Sequence, residues 1–234
     1  MGESITLNKS CNQSLKSYFH DDDIPELGLD EVGRGCLFGR VYVAGVILPK
    51  NDPQFQYHLL KDSKKFSSVK KINKVAEYIK EHAIAWHVSF MDENVIDSKN
   101  ILHASQLAFH DAVKNILSSA NIPKTPLLLV DGNYFTSYIN FDVAKKTFVE
   151  IPHVCITNGD NTYCSIAAAS ILAKVARDNY IIDLCDLHVD LDEKYKLKSN
   201  KGYGTADHLH GIHEHGITDW HRKSFGICKQ YANK

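Results

Sequence analysis

The residues whose types could do chemistry are carboxylates. Asp30 and Glu31 are adjacent in Gly28-Leu29-Asp30-Glu31-Val32-Gly33-Arg34-Gly35, where a short apolar strand should end. Asp131 closes the apolar run Leu127-Leu128-Leu129-Val130. Asp178 lies inside a long helical stretch, where neither a capping role nor the N-terminal end of the helix dipole accounts for an acid. Two neighbouring acids on a strand point to opposite faces, so Asp30 and Glu31 reach one ligand only through a bent strand end or a backbone carbonyl. Four carboxylates gathered without a cation repel one another and lose solvation, so their convergence implies divalent metal or strongly raised pKa values. Oxygen-only ligands select magnesium or manganese over zinc or copper. Two such ions about 3.5 to 4 Å apart activate a water and stabilise a leaving oxygen at phosphorus, which is nuclease chemistry.

Two other readings compete for the same stretches. Glycines at 33, 35 and 39 suggest a dinucleotide fingerprint, but Val41 to Leu48 reads as a second strand where that fingerprint needs a helix N-terminus. The histidines at 208, 210, 213, 215 and 221 suggest zinc, but on a helix 208 and 210 face different sides, so solvated or locally hydrogen-bonded side chains are expected.

The elements that must position the acids follow from periodicity. Leu27 to Val32 and Val41 to Leu48 read as a hairpin around Gly33-Arg34-Gly35, and Ala83 to Phe90 as a third strand. Val69, Ile72, Val75, Ala76 and Ile79 recur at helical spacing behind an N-cap at Ser67 or Ser68. Met91 to Ala120 reads as helix broken near Asp97 to Asn100. Leu127 to Val130, apolar on both faces and entered between Pro123 and Pro126, reads as a central strand, with Asp131 where α/β sheets place ligands. Val149 to Ile156 is a further strand. Asn158-Gly159-Asp160 turns into a long helix from about Asn161 to Leu187, whose small residues allow close approach to a sheet. A lysine-rich loop is expected over 190 to 200, and a short helix over Ala206 to His215.

At 234 residues the chain suits one α/β domain. A net charge of −1 argues against global polyanion affinity, yet a local basic groove around an acidic centre is compatible with it. Cysteines at 11, 36, 155, 164, 185 and 228 show no framework spacing, which predicts reduced thiols. No secretory signal is visible and Val41 to Leu48 is too short to span a bilayer, so a soluble, cytoplasmic chain is expected.

Six ordered motifs then resemble one family, type 2 ribonuclease H of the bacterial ribonuclease HII kind. They are Gly28 to Gly35, Asp62-Ser63-Lys64-Lys65, Asp131-Gly132-Asn133, Ser165 to Asp178, Lys201-Gly202-Tyr203-Gly204-Thr205 with His208, and His221-Arg222-Lys223-Ser224-Phe225. The resemblance covers about residues 26 to 226. It implies a ribonuclease H-like α/β fold, with a mixed central sheet flanked by helices and a small helical C-terminal part. The expected division is an N-terminal extension over 1–25, loosely ordered, a catalytic domain over 26–190 and a substrate-clamping segment over 191–234. It implies catalytic metal ligands at Asp30, Glu31, Asp131 and Asp178 for Mn²⁺ or Mg²⁺. It also implies substrate contacts at Gly33, Arg34, Gly35, Lys64 and Tyr203. Backbone groups freed by glycine would meet a 2′-hydroxyl, the Tyr203 ring would pack on the neighbouring deoxyribose, and Arg34 and Lys64 would meet phosphates.

The implied activity is endonucleolytic hydrolysis of RNA in RNA/DNA hybrids and nicking 5′ of ribonucleotides embedded in duplex DNA, by a monomer without membrane partners, leaving 3′-hydroxyl and 5′-phosphate. Cys36 and Arg40 stand where that family usually has proline, and Lys196 where a Tyr-Pro-type turn is common; Arg40 adds a charge near the site. A catalytically silent nucleic-acid-binding protein and a zinc hydrolase built on the histidines are the rivals. The first is countered by the presence of all four acids.

Overall fold

The computed structural model describes residues 15–119, 122, 124–142 and 146–232. Strands β1 (Glu26–Val32) and β2 (Val41–Ile47) pair antiparallel around the glycine loop, as the hairpin reading expects. Helix α1 (Val69–His82) begins at Ser68, whose side chain accepts the Lys71 N–H, and leads to β3 (Ala85–Met91). Helices α2 (Glu93–Lys99) and α3 (Ile101–Ser119) are separated by Asn100 at φ 65°, a left-handed residue that breaks the run where the sequence predicts a break. Then come β4 (Leu127–Asp131), the hairpin β5 (Ile139–Asp142) and β6 (Thr147–Glu150), and β7 (His153–Ile156). The long helix α4 (Cys164–Leu187) is followed by α5 (Val189–Tyr195), α6 (Leu197–Asn200) and α7 (Ala206–His215). Cys11, Pro123 and the helix end expected at Ala120 lie outside the described residues.

The main sheet has the order β3-β2-β1-β4-β7. Pairing is antiparallel from β3 to β1 and parallel from β1 through β4 to β7, so the sheet is mixed. Strand alternation sorts its side chains to two layers. Ala44, Val46 and Leu48 pack with α1 and α4, whereas Leu27, Leu29, Val43 and Ile47 pack with α3. Helix α4 lies directly on β1: a Cβ added to Gly28 would be 2.2 Å from the Ser165 backbone. Ala167, Ala168 and Ala169 are all buried, and their lack of bulk is what lets the helix backbone come so near.

Three expectations change. The strand read as continuous over Val149 to Ile156 is divided at Ile151-Pro152, and its first part joins β5 in a separate two-stranded hairpin. Phe141 pairs across it with Phe148, ring centroids 5.3 Å apart. The region read as a lysine-rich loop is largely helical. Leu191 and Tyr195, four residues apart, and Leu197 are buried beneath the lysines, and Lys196 ends α5 in the left-handed conformation. Of the N-terminal extension, residues 1–14 lie outside the described residues, whereas 15–25 are tied down. Lys16 bridges to Tyr163, and the Phe19 and His20 N–H groups donate to the buried Glu26 carboxylate at 2.8 Å each. No described helix is long and apolar enough to cross a membrane.

The contact at Gly28 yields a direct test. Gly28→Ala forces β1 and α4 apart, and overpacking of this kind costs about 1–3 kcal/mol, or about 2–4 °C of Tm per kcal/mol in a chain of this size. Thermal unfolding should show that loss; a Tm equal to wild type would contradict the packing described.

Candidate active site

The sheet places the first two acids. In the parallel ladder Leu29 sits opposite Val130, so the next residues along the two strands are Asp30 and Asp131. Residues in register on parallel neighbours carry their side chains on the same face, on strands about 4.8 Å apart. That face is covered by α4. Its Ser170 hydrogen-bonds the Asp30 carboxylate, and the Ser63 hydroxyl is 2.9 Å from that of Ser170. Asp30 Oδ1 also accepts the Glu31 N–H at 2.7 Å, and the side chain is only 6% exposed.

A third acid arrives from the neighbouring strand. Asp131 is in register with Ile156 at the end of β7, and the chain then turns through Asn158-Gly159-Asp160. The Gly159 N–H donates to Asp131 Oδ1 at 2.7 Å. Asp160 is buried, and its charge acts on both Asp30 and Asp131. Sequence reasoning treats this residue only as part of a turn. Its signal is positional: it follows a strand parallel and adjacent to the one that ends in Asp131.

Asp178 is not brought to this group. It pairs with Lys174, one helical turn earlier, at 2.9 Å, which gives the mid-helix carboxylate a local partner. The offset is legible in the packing of α4 on β1. Gly28 faces Ser165 and Gly33 faces Arg177. Those five strand residues cover about 16 Å and the twelve helix residues about 18 Å, so the two elements run alongside in the same direction. Asp178 is thus eight residues, or about 12 Å, past Ser170 along the axis. Its charge acts on Cys36 and Tyr203, and it lines a cavity of about 240 Å³ with Ser63, Lys174 and Lys201.

Glu31 sits on the opposite face from Asp30, as alternation requires, and pairs with Arg34 at 3.0 Å. The 3₁₀ turn Ser63–Lys65 is capped by Asp62, which accepts the Lys64 N–H at 2.9 Å. Asn161 ties this turn to the acids by donating to Asp160 at 3.1 Å and to Asp62 at 3.4 Å, and Lys65 hydrogen-bonds Asn161. The Lys64 charge acts on Asp131.

Burial, then the charges of Asp131, Glu31 and Asp160, push the Asp30 carboxyl well above the usual carboxylate range, against the Ser170 hydrogen bond. Burial also raises Asp131 and Glu31; the Gly159 N–H works against this at Asp131, and Arg34 at Glu31. These are hard oxygen donors under mutual repulsion, the donor chemistry that suits magnesium or manganese. As they stand, each is drawn to a local partner, and among the described residues no three His, Cys, Asp or Glu side chains gather closely enough to hold an ion.

The expected substrate residues lie past the acids. Gly33 has φ 88°, and a Cβ there would be 2.3 Å from Arg177 Nε. Beside Gly35 there is open space. Tyr203 is 44% exposed, with the Arg177 guanidinium 5.7 Å from its ring centroid. The Leu37 N–H donates to the Gly202 carbonyl at 2.9 Å, which draws the glycine loop and the Tyr203 loop together. Arg40, expected to add charge near the site, is instead stacked on the rings of Phe90 at 4.1 Å and Tyr180 at 4.4 Å.

His208 and His221 are fully buried, not solvated. The Thr218 N–H donates to His221 Nδ1 at 2.9 Å, so the His221 hydrogen is on Nε2. That hydrogen meets His208 Nε2 at 3.2 Å, and His208 Nδ1–H donates to the Tyr203 carbonyl at 2.9 Å. Both rings are neutral in this chain of bonds. Burial lowers His208, and lowers His221 to about 3. Arg177 and Arg222, equally buried, are functional candidates that composition alone does not single out.

Sequence comparison gives one family, and solved structures share the fold. The family described as Ribonuclease HII matches residues 27–228. A Ribonuclease HII from Bacteroides fragilis is 42% identical over 207 residues, covering 88% of this chain and 92% of that protein. Among solved structures, ribonuclease H2 from Pyrococcus horikoshii OT3 superposes with a TM-score of 0.66 at 18% identity, over 90% of this chain and 98% of that one. Bst-RNase HIII in complex with Mn²⁺ gives 0.58 at 16% identity, over 82% and 70%.

The repulsion among the acids has a sign in pH. A carboxyl whose folded pKa is raised contributes stability at low pH and loses it as pH rises through the raised value. Asp30→Asn removes that liability, so in chelator its Tm should exceed wild type by about 2–4 °C, the shift that roughly 1 kcal/mol produces. The excess should grow with pH, and the comparison cancels the histidine contribution, which has the opposite sign and is lost as pH falls below about 6.5. Equal Tm values across the range would contradict the repulsion.

Proposed function

The chain belongs to the ribonuclease HII family and is a ribonuclease H acting on the RNA strand of RNA/DNA hybrids, and from that premise we propose that it also nicks duplex DNA 5′ of a single embedded ribonucleotide. The products are a 3′-hydroxyl and a 5′-phosphate. The observation that supports the reading best is the in-register placement of Asp30 and Asp131, with Asp160 acting on both.

Asp30, Glu31, Asp131 and Asp160 would hold divalent metal, Mn²⁺ or Mg²⁺; Mn²⁺ is the ion bound in the Bst-RNase HIII structure. Bound ions would supply the water activation and leaving-oxygen stabilisation of displacement at phosphorus, so no side-chain nucleophile is required. Asp160 thereby takes the place that the sequence assigns to Asp178. The protein's own residues do the rest. Ser170 orients Asp30, and the Gly159 N–H orients Asp131. Lys64 and Arg34 offer cations to the phosphates on either side of the cut. The backbone of Gly33, Arg34 and Gly35 meets the 2′-hydroxyl, and the half-exposed Tyr203 ring packs on the deoxyribose that follows. The substrate is polyanionic nucleic acid, and the net charge of −1 is consistent with these few cations sitting beside an acidic centre.

A nicking assay on duplex DNA carrying one ribonucleotide, run with each metal in turn, tests this. Asp131→Asn and Asp160→Asn should each lower kcat by more than about 10²-fold with the fold intact, the usual scale for losing a key electrostatic group. Asp178→Asn should stay within about ten-fold of wild type, as expected for a half-buried i,i+4 helical ion pair away from the acids. Full activity in Asp160→Asn with loss in Asp178→Asn would reverse the assignment.

A further inference from the structure

His221 and Arg222 are adjacent and fully buried, and they back the two halves of the surface assigned above to the ribose and the deoxyribose that follows it, Arg222 directly and His221 through His208. The Arg222 guanidinium donates to the Gly33 carbonyl at 2.7 Å, the Arg34 carbonyl at 2.9 Å and the Gly39 carbonyl at 2.8 Å. Its own N–H donates to the Leu37 carbonyl at 2.8 Å. One planar fork therefore fixes three carbonyls of the loop that joins β1 to β2. Peptide groups are planar and trans, with no cis bonds among the described residues, so a carbonyl held toward the interior turns the next N–H the opposite way. Holding the Gly33 and Arg34 carbonyls against buried Arg222 thus aims the Arg34 and Gly35 N–H groups outward, where Arg34 and Gly35 are exposed and the space beside Gly35 is open. One residue earlier, His221 reaches Tyr203 through His208.

We propose that Arg222 is a positioning residue for ribose recognition: together with His221 it registers the Gly33-Arg34-Gly35 amides against the Tyr203 ring. It touches neither substrate nor the acids. This rests on the ribose-reading role proposed for those residues. The C-terminal segment is then a rigid backing for the reading surface, with the fork carrying one side and the imidazole pair the other. Lysine cannot replace the fork, because one ammonium on a flexible stem does not span three carbonyls in fixed directions.

The experiment compares kcat/KM on duplex DNA with a single ribonucleotide against kcat/KM on a uniform RNA/DNA hybrid, measured on the same preparation. The ratio is independent of the fraction of folded protein, so a purely structural role does not move it. Arg222→Lys should lower the ratio by about ten-fold, the factor that one lost charge-assisted hydrogen bond produces, chiefly through a higher KM for the embedded ribonucleotide. His221→Leu, which keeps the fork and cuts the link to Tyr203, should lower it in the same direction by a smaller factor. It supplies the test should Arg222→Lys fail to fold. A lowered Tm with an unchanged ratio in the folded variants overturns the proposal and leaves the ribose-reading role standing. Equal wild-type efficiency on both substrates overturns that role and this proposal together.

Discussion

The structure turns on a repulsion that the fold enforces. Parallel pairing of β1 with β4 sets Asp30 beside Asp131 on one face, and the turn after β7 adds Asp160. A carboxylate pair across neighbouring strands is unfavourable, and burial under α4 makes it more so. The surrounding framework holds it in place. The close contact at Gly28, the buried alanines and the two apolar layers around the sheet supply far more stabilisation than the acids remove. Local hydrogen bonds from Ser170 and Gly159 then orient the carboxylates without neutralising them. Binding energy for a hard cation is in this way stored in the apo fold, at a cost to its stability.

Around that centre the charges are graded. Acids occupy the sheet end, Lys64 and Arg34 flank it, and two buried guanidinium groups stand behind the glycine loop. The C-terminal helices bury Leu191, Tyr195, Leu197 and Ile212 with Phe38, and so clamp that loop from the side away from solvent. The acids and the glycine loop therefore occupy different parts of the chain, joined along α4: Ser170 sits at the acids, and Arg177 lies between Gly33 and Tyr203.

Much of this was legible in the residues. Strong period and clear punctuation gave β1, β2, α1, the break at Asn100, β4 and α7, with the Ser68 cap in place. Short elements were not: β5 and β6 have four residues each and expose most of their side chains, so alternation had little to act on. Lysines masked the Leu191, Tyr195 and Leu197 stripe in the same way. Among the site residues, Asp30 and Asp131 could be inferred from strand ends, because the physics that ends a strand also places a ligand. Asp178 stands out in the sequence because neither a cap nor the helix dipole accounts for a mid-helix carboxylate, yet Lys174, four residues before it, is its ion-pair partner. Asp160 was overlooked because an Asn-Gly-Asp turn looks complete as a turn. Its approach to Asp131 depends on β7 lying beside β4, a tertiary fact that one-dimensional spacing does not carry.

The central claim is that the fold compels these carboxylates into mutual repulsion that divalent cations relieve. Carboxyl ¹³C NMR of the metal-free protein, followed through a pH titration and repeated with Mg²⁺, measures this at Asp30 itself. The account predicts that Asp30 titrates well above the ordinary carboxylate range without metal, and that Mg²⁺ moves the transition down to lower pH. An ordinary titration that Mg²⁺ leaves unchanged would contradict it.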